Sequence, residues 1–273
     1  MTELLKVSSL CVGLKQTADP IVRKVSFALR AGRALAVVGE SGSGKTMTCK
    51  SVMGLLNPQI FRVSGSIRYR ETELLALEEK AMRALCGSKI AMIVQNPMTA
   101  FDPTAKIGAQ VVETLRAHQR ISKKDAYALG ILALEKMNLP RCRQLMNSYP
   151  HTLSGGMLQR IIIALALIHE PEVIIADEAT TALDVKNQNM VLEELAKMKG
   201  RGIGLLLVTH DFGVAAKLAD EVIVMREGEI VERGTIYDIF EAPQETYTRE
   251  LLKASILTRG SGLDRTETRS QAL

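Results

Sequence analysis

The run Gly39-Glu40-Ser41-Gly42-Ser43-Gly44-Lys45-Thr46 fits the pattern G-x-x-x-x-G-K-[ST]. The glycines allow the backbone to curl until successive N–H groups point inward at phosphate oxygens, and a helix starting at Lys45 adds the positive end of its dipole. Lys45 has the charge and reach for β- and γ-phosphates, and the Thr46 hydroxyl is the expected Mg²⁺ ligand. A carboxylate must stand beside such a cradle. Val173-Ile174-Ile175-Ala176-Asp177-Glu178 has the form of a buried strand ending in two of them. Asp177 is expected to hold the metal, leaving Glu178 to orient and polarise an attacking water. Ser154-Gly155-Gly156 reads as a second anion site: Ser154 caps a helix whose glycines leave bare N–H groups open to a phosphate.

These groups need a scaffold, and the hydrophobic pattern alternates between short strand-like and longer helix-like runs, as in a sheet covered by helices. Strands are expected over 4–11, 25–29 and 34–38, the last leading into the glycine-rich loop, with a helix over 45–56. A turn at Val63-Ser64-Gly65, a strand over 66–69, a helix over 78–85 and a strand over 90–94 follow. Residues 107–146 pattern as helices, clearest over 123–137, and a helix over 154–169 closes that region. Alternation then resumes with strands over 173–176, 205–208 and 222–225 and helices over 186–199 and 212–218, and Gly228 turns the chain into Ile230-Val231. From about Ser255 the sequence is polar and of mixed charge, so 255–273 is read as a loose tail.

Composition narrows the class. With 273 residues and 47% apolar content the chain can bury a core without metal or disulfide staples. The four cysteines, Cys11, Cys49, Cys86 and Cys142, lie scattered with no C-x-x-C pair, consistent with a reducing cytosol. The longest apolar run, Ile161 to Ile168, is far short of the roughly 20 residues that span a bilayer, and the first ten residues lack the layout of a signal peptide. The net charge of +5 is spread among acidic residues, as on an ordinary solvated surface.

Leu153-Ser154-Gly155-Gly156-Met157-Leu158-Gln159-Arg160 resembles the signature of ABC-type ATPases, which other P-loop classes lack. The resemblance covers about Leu4 to Lys253. It implies a P-loop NTPase (RecA-like) α/β core with an N-terminal antiparallel β subdomain (core 1–95 and 165–253) and an inserted helical subdomain (about 96–164). It further implies ATP hydrolysis with Mg²⁺, and cassettes paired head to tail so that Ser154, Gly155 and Gly156 close over the partner's ATP. Gln95 matches the glutamine that touches magnesium and the catalytic water. Ala182-Leu183-Asp184 looks like the loop at the dimer seam, and His210, in Val208-Thr209-His210-Asp211, matches the histidine that contacts the γ-phosphate. Two departures stand out. The first aromatic residue is Phe27, so no upstream aromatic is available to stack on adenine and Leu14 or Ile21 is left to pack against the base. Ala179 replaces the usual proline after the glutamate.

Within the family, Gln95-Asn96-Pro97, Ala100-Phe101-Asp102-Pro103, Ser148-Tyr149-Pro150-His151 and Tyr247-Thr248-Arg249-Glu250-Leu251-Leu252 look like the peptide and nickel import group. Met157-Leu158-Gln159-Arg160 and Ile175-Ala176-Asp177-Glu178 look most like the first ATPase subunit of a nickel or metal-chelate importer, with a dipeptide or oligopeptide importer as the alternative. The resemblance implies a second, related ATPase subunit, two transmembrane permease subunits, an extracytoplasmic substrate-binding protein contacted indirectly, and a peripheral place on the cytoplasmic face of the inner membrane. Nucleic acid is not an expected partner: 95–154 has no room for a long coiled coil, and no internal repeat marks a two-cassette translation factor. An exporter fused to membrane helices is disfavoured by the lack of any spanning run. His118, His151 and His169 are expected to be structural, His118 and His169 near helix C-termini.

Overall fold

The computed structural model describes residues 2–180 and 183–260, with side chains through 255. Two strands open the chain, β1 (Glu3–Leu14) and β2 (Pro20–Arg30), followed by β3 (Ala34–Val38) and α1 (Lys45–Val52). Next come β4 (Phe61–Tyr69), β5 (Thr72–Glu73), α2 (Glu79–Leu85) and β6 (Ile90–Ile93). A helical stretch holds α3 (Ile107–His118), α4 (Lys123–Lys136), α5 (Cys142–Leu145) and α6 (Gly155–Leu167). Alternation returns with β7 (Val173–Asp177), α7 (Val185–Gly200), β8 (Gly204–Thr209), α8 (Phe212–Leu218), β9 (Glu221–Arg226), β10 (Glu229–Thr235), α9 (Ile236–Glu241) and α10 (Thr246–Gly260).

The strands form two sheets. One is antiparallel, in the order β2-β1-β4-β5; the other runs β10-β9-β3-β8-β7-β6, parallel except for the β9–β10 pair. Because side chains alternate along a strand, β3 serves both faces of the larger sheet while all five of its residues are buried. Leu35 and Val37 join Ile175, Leu206, Val208 and Ile223 against the antiparallel sheet and α1. Ala34, Ala36 and Val38 face the other way with Ile174, Ala176, Leu205 and Leu207, in a cluster that also takes in residues of α3, α4, α6, α7 and α8. Sandwiched between two apolar layers, β3 is a rigid base for the loop that leaves its C-terminal end.

Several expected boundaries move, for physical reasons. Val63-Ser64-Gly65 is not a turn. It lies inside β4, where the pairing with β1 slips between Ser8 and Cys11, and Gly65 has φ +103°. A β-carbon there would meet the Ser9 carbonyl oxygen at 2.5 Å, so glycine is required by a bulge. Helix α1 stops at Val52 rather than reaching 56, because Gly54 turns left-handed (φ +63°) and Pro58 follows. Helix α9 was not expected, although Thr235 and Asp238 form a reciprocal capping box at its start. Position 255 is not the start of an irregular tail, because α10 carries the helix to Gly260. Helix α6 runs unbroken through position 164.

Glu172, just before β7, ties the two sheets together. Its carboxylate accepts from Arg70 Nε at 2.9 Å and Lys89 Nζ at 3.2 Å. Burial alone would raise its pKa, but hydrogen bonds from Tyr69, Arg70 and Lys89 outweigh that and hold it below the ordinary carboxylate value.

Candidate active site

The loop after β3 is built around close backbone approach. A β-carbon on Gly39 would sit 2.2 Å from the Met225 carbonyl oxygen, so the loop's first turn is pressed against the end of β9. Gly44, with φ +99°, precedes α1 and supplies no side-chain cap, which leaves the first-turn N–H groups of that helix for an anion. Lys45 is only 4% exposed. Its ammonium donates to the Gly39 carbonyl at 2.8 Å, the Glu40 carbonyl at 2.6 Å and Ser43 Oγ at 3.2 Å. Burial lowers its pKa, against the opposing pull of the Glu178 and Asp177 carboxylates. Thr46 Oγ1 donates to Asp177 Oδ1 at 3.2 Å. Asp177, at the end of β7, is 2% exposed, and burial raises its pKa despite that hydrogen bond.

Strand order brings the remaining predicted residues together. In the order β3-β8-β7-β6, the C-terminal ends of adjacent parallel strands lead to the cradle, His210, Asp177 with Glu178, and Gln95 in turn. That edge is where open α/β sheets bind ligands. Glu178 stands at the centre: Oε2 accepts from Gln95 Nε2 at 2.7 Å, and Oε1 lies 3.4 Å from His210 Nδ1. Its backbone is left-handed (φ +47°), and its N–H donates to the Val208 carbonyl of β8 at 2.8 Å. A bulky residue rarely adopts this conformation unless its surroundings enforce it.

Ser154, Gly155 and Gly156 stand at the start of α6 and make no hydrogen bond to this cluster among the described residues. Ser154 Oγ accepts from the Met157 N–H at 3.3 Å, as an N-cap should. Among the described residues, a β-carbon on Gly155 would meet nothing within 4 Å, and one on Gly156 only Leu183 Cδ2, at 3.6 Å. The helix end is therefore open above its first turn. Of the predicted seam loop, Ala182 lies outside the described residues, while Asp184 caps α7 through the Asn187 N–H at 2.8 Å. Ile21 borders the cradle, its carbonyl 3.2 Å from where a Gly44 β-carbon would sit, and both Leu14 and Ile21 are half-buried. His118 and His169 pack edge to face, ring centroids 5.2 Å apart, where α3 and α6 end.

Two residues at the site were not singled out for it by their sequence. Gln159 is 1% exposed, and its amide donates to the Ala179 carbonyl at 2.9 Å and the Val94 carbonyl at 3.3 Å. These carbonyls immediately follow Glu178 and precede Gln95. A glutamine among Leu158, Ile161 and Ile162 is the signal that could have exposed it, since a buried amide must find partners. Tyr247, on α10, accepts from the Glu40 N–H through its hydroxyl at 3.2 Å. Its sequence signal, the run Tyr247-Thr248-Arg249-Glu250-Leu251-Leu252, points to the import group and says nothing of a contact with the cradle.

A P-loop core, an antiparallel sheet beside it and a helix capped by Ser-Gly-Gly define an ATP-binding cassette. The ABC transporter family model matches residues 22–181, more than half of the chain, and the chain belongs to that family. It is an ATP-binding, ATP-hydrolysing cassette. It is 44% identical over 256 residues to the dipeptide transport ATP-binding protein DppD of Bacillus subtilis, covering 92% of this chain and 76% of the relative. To the oligopeptide transport ATP-binding protein OppD of Lactococcus lactis subsp. cremoris it is 42% identical over 232 residues, 85% of this chain and 69% of that one. The solved dimer of the cassette MJ0796 with ADP and Pi superposes with a TM-score of 0.76 at 23% identity, covering 85% of this chain and 99% of that one, which shows the fold. Among the described residues no helix is long and apolar enough to cross a membrane.

Proposed function

We propose that this chain powers an importer of small peptides, one of two related ATPase subunits docked on two transmembrane permeases at the cytoplasmic face of the membrane. The peptide cargo is favoured over nickel by the relatives, whose names are those of dipeptide and oligopeptide transport proteins. An extracytoplasmic binding protein would select the peptide, and this subunit would never touch it.

The observation that carries the chemistry is Glu178 held between Gln95 and His210 beside a phosphate cradle. In the proposed mechanism the loop from Gly39 to Thr46 wraps the phosphates, and Lys45 leaves its carbonyl partners to meet the β- and γ-oxygens. Glu178 takes the proton of the attacking water. Gln95 orients the same water, and His210 contacts the γ-phosphate. The partner's γ-phosphate is closed over by Ser154, Gly155 and Gly156. The donor set fits Mg²⁺: Thr46, Asp177 and Gln95 offer hard oxygens, and a cation would relieve the burial that raises the Asp177 pKa. When bound, it neutralises charge developing between the β- and γ-phosphates. The core (1–95 and 165–253) and helical subdomain (about 96–164) are the two parts of this reading, with α6 continuous across the boundary between them.

The test is a deletion strain complemented with wild-type or Glu178→Gln chain. Wild type restores dipeptide uptake, while Glu178→Gln binds ATP but turns over about 10²- to 10⁴-fold more slowly, the usual worth of a general base. Normal peptide uptake with lost nickel accumulation in the deletion would reverse the cargo, and near-normal hydrolysis by Glu178→Gln would move the base elsewhere.

A further inference from the structure

One peptide group in the cradle is gripped on both edges. The bond between Gly39 and Glu40 presents the Gly39 carbonyl to Lys45 Nζ at 2.8 Å and the Glu40 N–H to Tyr247 Oη at 3.2 Å. Because a peptide is planar, its carbonyl and its N–H cannot turn independently. Fixing one edge therefore aims the other. The second lysine acceptor, the Glu40 carbonyl, belongs to the next peptide and also receives the Ser43 N–H at 3.2 Å.

Tyr247 is itself held firmly. It is 8% exposed, at the start of α10, and the Arg226 guanidinium lies 5.0 Å from its ring centroid. Arg226 follows Met225, whose carbonyl blocks any side chain at position 39. The end of β9 thus touches the first cradle residue with one group and clamps the tyrosine with the next. A ring held by packing and by a cation loses little further freedom on hydrogen bonding, so its hydroxyl is pre-placed for the N–H. Burial raises the Tyr247 pKa, so the phenol stays neutral at physiological pH and the contact is an ordinary hydrogen bond.

We infer that Tyr247 is a positioning residue for ATP binding, setting the orientation of the Gly39–Glu40 peptide and through it the resting place of the Lys45 ammonium. The inference rests on the cradle reading above and deepens it. It links the segment 246–252, some 200 residues downstream, to the nucleotide site. The hydroxyl meets the loop's backbone, through the Glu40 N–H. Its effect is to narrow the conformations of a loop that must present its N–H groups together, so losing it costs affinity and leaves the chemical step alone.

The experiment compares the full chain with Tyr247→Phe, Lys45→Ala and Tyr237→Phe, reading the Kd for ATP with Mg²⁺, the KM and kcat of hydrolysis, and thermal unfolding. Tyr247→Phe keeps the ring under Arg226 and removes one hydroxyl. One hydrogen bond of ordinary net worth predicts a Kd and KM raised about three- to tenfold. The kcat should stay within about twofold of wild type. Tyr237→Phe, at an exposed site, leaves all parameters as they were. In wild type the Glu40 amide is protected from hydrogen exchange, and in Tyr247→Phe that protection is lost. A Kd within about twofold of wild type, or a fall in kcat with Kd unchanged, overturns the inference. So does an unprotected Glu40 amide in the wild-type chain, a readout that needs no variant to fold. If Lys45→Ala still binds and hydrolyses ATP normally, the cradle reading has failed instead.

Discussion

Lys45→Met separates what the cradle lysine does for the fold from what it does for ATP. In the nucleotide-free chain the ammonium is buried and held by three neutral oxygens, so removing it relieves the burial of a charge but strands those acceptors. The two terms oppose each other, and the Glu40 end of the loop is open enough for water to take over. The melting temperature without nucleotide should change by less than about 4 °C, equivalent to about 1 kcal/mol for a chain of this size. ATP tells a different story. At a concentration 100-fold above the wild-type Kd, ligand binding stabilises wild type by about 2.7 kcal/mol, or about 5–11 °C. Two charged hydrogen bonds to phosphate, at about 1.5 kcal/mol each, amount to about 3 kcal/mol and weaken Kd about 160-fold. At the same ATP concentration the variant then gains about 0.3 kcal/mol, a shift of about 1 °C. Scanning calorimetry with and without ATP and Mg²⁺ reads both numbers. A variant that keeps most of the ATP-induced shift would refute the assignment of Lys45 to the phosphates. One that melts many degrees lower without nucleotide would refute the balance of terms.

Three further outcomes are expected. Ser154→Arg puts a long cation at the open end of α6; in the assembled transporter it should block hydrolysis at the site whose lysine belongs to the partner while photolabelling at Lys45 survives, and the reverse pattern would rule out the head-to-tail pair. Gln159→Ala removes two buried hydrogen bonds and leaves a cavity, costing about 2–4 kcal/mol. Spin labels at the exposed positions Thr152 and Lys186 should then show a broadened distance distribution, and an unchanged one would deny Gln159 its bridging role. Glu172→Gln should lower the melting temperature at pH 7 by about 2–4 °C, the worth of one partly exposed pairing network of about 1 kcal/mol. The folded-state pKa of Glu172 is depressed, so its contribution is present above the ordinary carboxylate value of about 4.3. It fades as pH falls through the folded value, and wild type and variant should converge once the pH is below it.

The cradle was legible because its determinants are local: Ala34–Val38 forms the predicted strand, and α1 begins at the predicted Lys45. The meeting of Gln95, Glu178 and His210 was not legible from periodicity, which says nothing of strand order; resemblance supplied it, and the order β3-β8-β7-β6 explains it. The stretch around Gly65 was misread because a left-handed glycine between polar residues serves a bulge as well as a turn. Only the pairing partner decides between them. Tyr247 and Gln159 act through contacts 207 and 65 residues away in sequence, where no spacing rule reaches.

The Gln159 amide also makes α6 a lever. This side chain fastens the helix to carbonyls flanking both Gln95 and Glu178, and the helix beyond it is buried in the core, so a tilt of the first turn of α6 would have its fulcrum near Gln159. Ser154 is five residues away, an arm of about 7.5 Å at the helical rise. A swing of about 20° would carry the Ser154 end through about 2.6 Å, enough to make or break a hydrogen bond to a phosphate, while Gln95 and Glu178, the proposed water-holding pair, stay almost still. On the proposed head-to-tail pairing, the first turn of this helix would follow the neighbouring subunit, while its fifth residue, Gln159, would keep the proposed hydrolytic groups in register.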